Sequence, residues 1–319
     1  MTEWVFNEES EDGKLLQTML NDLIRNGKKS KHYLEKFQKK ASDYPFNSKE
    51  LNLIFNGDCL DEIAYQLMKY RSPRWLAAFR GICRATDERT LITNVVYRSG
   101  VGNSMPVFNG INNNKPLLTA AFIANMNSLV TDFCVREKVG GINLNFFIIM
   151  QFPVLSPEMY KTSDLKYIIP RVLELTYTSN SMRPWAEDVY NSAPEEVKEA
   201  ILAFVRSRKD PLSLPIGCQL PQLLGGASSR TATQEAFSLT PFKYDPERRA
   251  HLRAELDAYY AKLYGLTRDE LRYILDPADV MGPDYPSETF RVLKDSEIAK
   301  YGTYRTRDLV LAAYDNLCK

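Results

Sequence analysis

The sequence predicts an α+β fold, with a mixed, β-containing core between a helical N-terminal segment and a helical C-terminal subdomain. Three observations predict it. Apolar residues recur at helical spacing over residues 14–26 and again beyond Pro246. Two short apolar runs between Pro73 and Arg98 are flanked by arginines, and the second is rich in β-branched residues. A chain of 319 residues that is 44% hydrophobic and 25% charged has the composition of an ordinary globular protein with room for one large core and an appendage.

The elements follow in order. "KLLQTMLNDLIRN" places Leu16, Leu20, Leu23 and Ile24 on one face, and Gly27 stops the helix. A basic run at 28–40 reads as a solvated helix face or as a phosphate-contacting one. Asp58 caps a second predicted helix through Tyr70, which closes a helical segment over 1–70. From 71 to 177 the texture is α+β. "RWLAAFRGICRA" and "RTLITNVVYR" are two antiparallel strands, the first weakened by its alanines, and "SGVGNSMP" is a turn-rich loop. Pro116 opens a deeply packed helix with Leu118, Phe122, Met126, Leu129 and Phe133 at spacings of three and four. Gly140 and Gly141 end it, and "LNFFIIMQFPVL" reads as a short buried strand. "SDLKYIIPRVLELTYT" predicts a helix beginning near Pro170. Residues 178–240 read as an insertion, a helix at "PEEVKEAILAFVRSR" followed by a long loop, and 241–319 as the helical subdomain. There Asp245 and Pro246 open one helix, Thr267 and Glu270 form a capping box, and Thr306 caps the last helix.

Residues Val139–Pro157 carry no formal charge, which raises the question of a membrane span. A spanning helix needs about 20 predominantly apolar residues. This stretch holds Gly140, Gly141, Asn143, Asn145, Gln151 and Pro153, so no membrane partner is expected. Five scattered cysteines with no Cys-x-x-Cys pair, and only His32 and His251 beside them, argue against a zinc site and a disulfide framework. The acidic N-terminus lacks the order of a signal peptide, so a reducing cytoplasm is expected. A net charge of +1 advertises no polyanionic partner, yet a local basic face would still suffice for one.

Catalytic patterns are missing. There is no phosphate-binding Gly-x-x-x-x-Gly-Lys motif, and "GVGN" at 100–103 lacks the rest of a dinucleotide fingerprint. There is no Gly-x-Ser-x-Gly elbow. Glu196-Val197-Lys198 and Pro283-Asp284 stand in the wrong order for a metal-dependent nuclease. The Asn-Pro-Pro-Tyr-like tetrapeptide that holds a flipped base for amino-methylation does not occur.

Two blocks carry a resemblance. "WLAAFRGICRATDERTLI" (75–92), followed by "GVGNSMPVF", resembles the opening of the target-recognition region of large bacterial adenine-N6 DNA methyltransferases, the type IIG-like enzymes and their DISARM and BREX phage-defence relatives. "ANMNSLVTDFCVREKVGGINLNFFIIMQFPVLSP" (124–157) resembles the same family's helix–glycine–strand passage, with its Asn-Ser, Asp132, the paired glycines, Asn-Leu-Asn and closing Pro. The segment from Tyr244, "YDPERRAHLRAELDAYYAKLYGLTRDELRYILDP", is similar to that family's C-terminal tail. The likeness covers roughly residues 73–177 and 241–315. It implies a target-recognition-like core, double-stranded DNA as partner, and a catalytic methyltransferase domain or subunit that alone would bind S-adenosylmethionine. No cofactor is expected on this chain. It reads as the specificity end of such an enzyme, or as an adaptor in a phage-defence complex that does not itself bind DNA.

In such a module cations fix register on phosphates, while arginine and asparagine read base edges. Arg80, Arg84, Arg89 and Arg98 flank the two predicted strands and are candidates, with internal pairing to Asp87 or Glu88 as the alternative. Arg80 and Arg84 would share a face if the strand continued through them. Asn103 lies in the glycine-rich passage after the first block. Asn143 and Asn145 share a face if "INLNF" is extended, their alternative being hydrogen bonds to strand-end backbone. Lys138 is the last candidate, and as a helix-closing cation it also suits the dipole.

Overall fold

The computed structural model describes residues 73–108, 115–207, 239–286 and 289–319, together with Lys49 and Leu53. The chain divides into two compact units, Met1–Pro73 and Arg74–Lys319. The helices expected at 14–26 and 58–70, the basic run at 28–40 and the loop after residue 207 lie outside the described residues.

The second unit is α+β, as expected. β1 (Trp75–Phe79) and β2 (Thr93–Tyr97) pair antiparallel, with Trp75 opposite Tyr97 and Phe79 opposite Thr93. The alanines that weaken β1 as an isolated strand suit it to its site. Ala77 and Ala78 are fully enclosed, and their small side chains let the segment 104–108 run along the other edge through an Ala78–Val107 bridge.

α1 (Pro116–Met126) is buried on nearly every side, and α2 (Leu129–Arg136) follows at a bend of 59°. One continuous helix was expected here. The break comes from Asn127 and Ser128. Asn127 bonds β2 at the Thr93 amide and carbonyl, and extended Ser128 caps α2 by accepting from the Thr131 amide. No single described helix is long and apolar enough to cross a membrane.

The strand expected at "FFIIM" is a short helix, α3 (Phe146–Ile149). The Asn145 carbonyl accepts from both Ile148 and Ile149, and the turn buries Ile149 while leaving Phe147 60% and Met150 78% exposed. A run of five apolar residues has too little length for periodicity to separate the two conformations. α4 (Thr162–Thr176) begins eight residues before the proline expected to start it. Pro170 sits inside, missing one backbone bond, and helix-breaking is overridden by burial of Ile168, Ile169, Val172 and Leu173 around it. Next to the gap, Arg171 donates to the Tyr167 carbonyl.

α5 (Arg183–Ser192) and α6 (Glu195–Arg206) place Trp185, Val189, Val197, Ile201 and Val205 in the same core as β1, α1 and α4. Residues 178–207 are therefore packed into this core, and the helix expected at 194–208 is present as α6. A second core gathers α2, the long α7 (Pro246–Leu263), α8 (Arg268–Leu275), α10 (Arg291–Tyr301) and α11 (Arg305–Leu317) around Leu271, Leu275, Phe290, Tyr304 and Val310, with the short α9 (Pro277–Met281) following α8. Asp245 caps α7 and Thr267–Glu270 box α8, both as expected. The last helix starts at Arg305, and Thr306 is held by Glu297 of α10 instead of acting as its cap.

Candidate functional site

Two loops are stitched to one segment. Beyond β1 the chain runs extended through Gly81 to Cys83. The Gly81 amide donates to the Ser104 carbonyl, the Leu144 amide to the Gly81 carbonyl, and the Cys83 amide to the Ile142 carbonyl, at 2.7–3.0 Å. Asn143 forms a bridge with Ile82. Gly81 is needed here because a Cβ would lie 3.0 Å from Pro106 Cδ and 3.2 Å from the Ser104 carbonyl oxygen. A turn closed by Met105 N–H to the Gly102 carbonyl exposes Asn103. Arg84, Asn103, Asn143 and Asn145 thus each lie next to, or within, this set of backbone bonds, and all four are exposed. Lys138 is exposed at the end of α2, on the way into the 139–145 loop.

The same rim exposes large apolar side chains. Ile82 and Ile142 are each 55% exposed, Phe146 47% and Phe147 60%. Phe146 meets buried Phe79 edge-on at 5.3 Å, so this face is continuous with the core beneath it.

The other candidates separate. Arg98 is exposed at the far end of the sheet, beyond the Trp75–Tyr97 pair. Arg80 lies outside β1, so strand alternation does not place it with Arg84. It donates to Asp87 and to the Arg89 carbonyl, closing the "RATDERT" turn from within. Arg89 pairs with neither acid beside it. Its guanidinium reaches buried Asp257 at 3.1 Å and the Asn127 carbonyl at 3.1 Å. Burial pushes the Asp257 carboxyl above the usual carboxylate range, against the pull of Arg89 and the Leu129 amide. Burial lowers the Arg89 guanidinium, but Asp257, Asp132 and Tyr304 together outweigh it and hold Arg89 above the ordinary arginine value.

A second buried pair clamps the turn. Asp132 accepts from the Thr90 and Leu91 amides at 3.1 and 2.7 Å and pairs with Arg136 at 3.0 Å. Arg136 donates to the carbonyls of Ala85, Asp87, Glu88 and Thr289 and stacks 4.4 Å from the Phe290 ring centroid. Asn125 likewise bonds Tyr264, Thr131 and the Leu155 amide. In the second resembling block, therefore, Asn125, Asn127, Ser128 and Asp132 are all engaged in holding the fold, while Gly140–Asn143 and Asn145 lie at the surface. The two glycines there adopt no positive φ and have open space where a Cβ would be.

Sequence reasoning missed a cleft of about 220 Å³ between β2, α1, α4 and α7. Arg89, Asn94, Arg249, Arg253 and Asp257 line it beside Leu91, Ile123 and Leu256. The spacing of Arg249, Arg253 and Asp257, four apart on one helix, was the readable signal. Among the described residues no group of three or more His, Cys, Asp or Glu side chains could hold a metal ion. No family model, no curated protein and no solved structure matches the chain.

Proposed function

We propose that this chain is the non-catalytic DNA-recognition module of a bacterial adenine-N6 methyltransferase of restriction–modification or phage defence. It would act on double-stranded DNA in the cytoplasm, beside a catalytic domain or subunit that binds S-adenosylmethionine. One observation carries the reading beyond the sequence resemblance. The two loops bonded to Gly81–Cys83 bring Asn103, Asn143 and Asn145 to one exposed rim beside Arg84, from segments far apart in the chain. Asparagine side chains can pair bidentately with adenine, and exposed apolar residues beside them can contact thymine methyls. Arg84 and Lys138 are the exposed cations beside this rim for phosphates.

A gel shift of the protein on duplex DNA at two salt concentrations tests this. Two phosphate contacts give a loss of roughly 12-fold in affinity between 50 and 200 mM salt. Absence of binding at the lower salt refutes the reading. Methyl transfer from labelled S-adenosylmethionine by the pure protein would refute the non-catalytic assignment.

The apolar half of the rim favours a second reading. Ile82, Ile142, Phe146 and Phe147 form the kind of exposed cluster that marks a protein interface. On that reading the chain is an adaptor within a phage-defence complex and does not touch DNA.

A further inference from the structure

We propose that the cleft between β2, α1, α4 and α7 binds a small phosphomonoester, with Arg249 and Arg253 as its anion-holding side chains. The site is independent of the rim and of the DNA reading. Arg249, Arg253 and Asp257 follow one another at four-residue steps, so they share a face of α7. Across the cleft Arg89 is tied to Asp257. Three guanidinium groups against one carboxylate leave two positive charges facing a concave space of about 220 Å³.

Among the described residues no further carboxylate pairs with this excess. Arg253 forms no ion pair among the described residues, and its one hydrogen bond runs from Nε to the Arg249 carbonyl at 3.4 Å. Arg249 uses one terminal nitrogen on the Leu175 carbonyl and stacks on Tyr244. Asn94 accepts from the Val95 amide through its oxygen, which leaves its NH₂ group available as a donor. Crowding also shows in Arg253 itself. Burial and then the charge of Arg89 draw its guanidinium below the ordinary arginine value, against Asp257, and Arg249 adds to the effect. Its side chain is nonetheless exposed by surface area, and that exposure is what leaves it within reach of a ligand.

The chemistry of the lining selects the ligand. A phosphomonoester carries roughly −1.5 to −2 charge at neutral pH and three acceptor oxygens, which matches two positive charges and several free donors. A monocarboxylate would leave a positive charge unmatched. Leu91, Ile123, Val172 and Leu256 form the other wall, so the anion should carry an apolar or ring-shaped body. Sugar phosphates, nucleoside monophosphates and the 5′-phosphate of a nucleic-acid end all present this chemistry.

Isothermal titration of the full chain with phenyl phosphate and with benzoate, at constant ionic strength, tests the proposal. Phenyl phosphate should bind at least tenfold more tightly than benzoate. Arg253→Gln and Arg249→Gln should each weaken it at least tenfold. Arg248→Gln removes the same charge from a side chain paired with Glu174 and should leave binding unchanged. Circular dichroism confirms that each variant is folded, and Arg253→Lys, which keeps the charge, should retain part of the affinity. No binding of phenyl phosphate, equal binding of benzoate, or equal loss in all three glutamine variants would overturn the site. A 5′-phosphorylated oligonucleotide preferred over its 5′-hydroxyl form, with the preference lost in Arg253→Gln, identifies a strand end as the source. Phenyl phosphate binding without that preference identifies a free small molecule.

Discussion

Replacing Asp132 by alanine should remove a third or more of the stability of the unit that begins at Arg74. Asp132 is fully buried, and its carboxylate holds three partners: the Thr90 amide, the Leu91 amide and Arg136. Taking one member from a buried ion pair costs about 3–5 kcal/mol, because the other charge is left without its partner. Each buried amide that loses its acceptor adds about 1 kcal/mol or more. The sum is at least about 5 kcal/mol, against a total stability of roughly 5–15 kcal/mol for a domain. Asp132→Asn keeps the shape and an acceptor for the two amides but removes the charge, so its cost should fall near 3 kcal/mol. Urea titration followed by circular dichroism measures both. An unfolding free energy for Asp132→Ala within about 1 kcal/mol of the parent protein would refute the view that this carboxylate clamps the 84–91 turn.

Other outcomes follow from the same geometry. Arg89→Gln should destabilise by about 3 kcal/mol through the stranded Asp257, whereas exposed Arg84→Gln should change stability by less than about 0.5 kcal/mol; thermal melts distinguish them. Gly81→Val should displace the 102–106 loop from Pro106 outward, seen as faster amide exchange at Met105 while the β1–β2 bonds stay protected. Burial raises the Tyr160 phenol from 10 to about 12. The unfolded chain therefore ionises first, and the stabilisation present below pH 10 is lost as pH rises toward 12. That loss amounts to roughly 3 kcal/mol, and an alkaline unfolding transition moved to higher pH in Tyr160→Phe would reveal it; an unchanged transition in that variant would contradict it.

Much of the fold was readable because its signals are local. The two strands, the Asp245 cap and the Thr267–Glu270 box depend on residues within one or two turns of each other. What sequence could not supply is long-range satisfaction of polar groups. The break after α1 depends on Asn127 meeting Thr93, a residue of β2, and no periodicity reports that pairing. Arg89 was expected to pair locally with its adjacent acids, but Asp257, 168 residues away, takes it. The "FFIIM" run illustrates the converse limit, since its β-branched isoleucines favour a strand while the Asn145 carbonyl and an exposed face permit a single helical turn. Of the candidate interface, the residue types were readable. Their convergence was not, because it rests on bonds between Gly81–Cys83 and two distant loops.

The salt dependence of duplex binding, compared between the parent protein and an Arg84→Gln/Lys138→Gln variant by fluorescence anisotropy, tests the central claim most directly. Loss of two phosphate contacts should reduce the slope of log K against log salt by about two. An unchanged slope, or no duplex binding by the parent protein at low salt, would contradict the assignment of this rim as a DNA-reading surface.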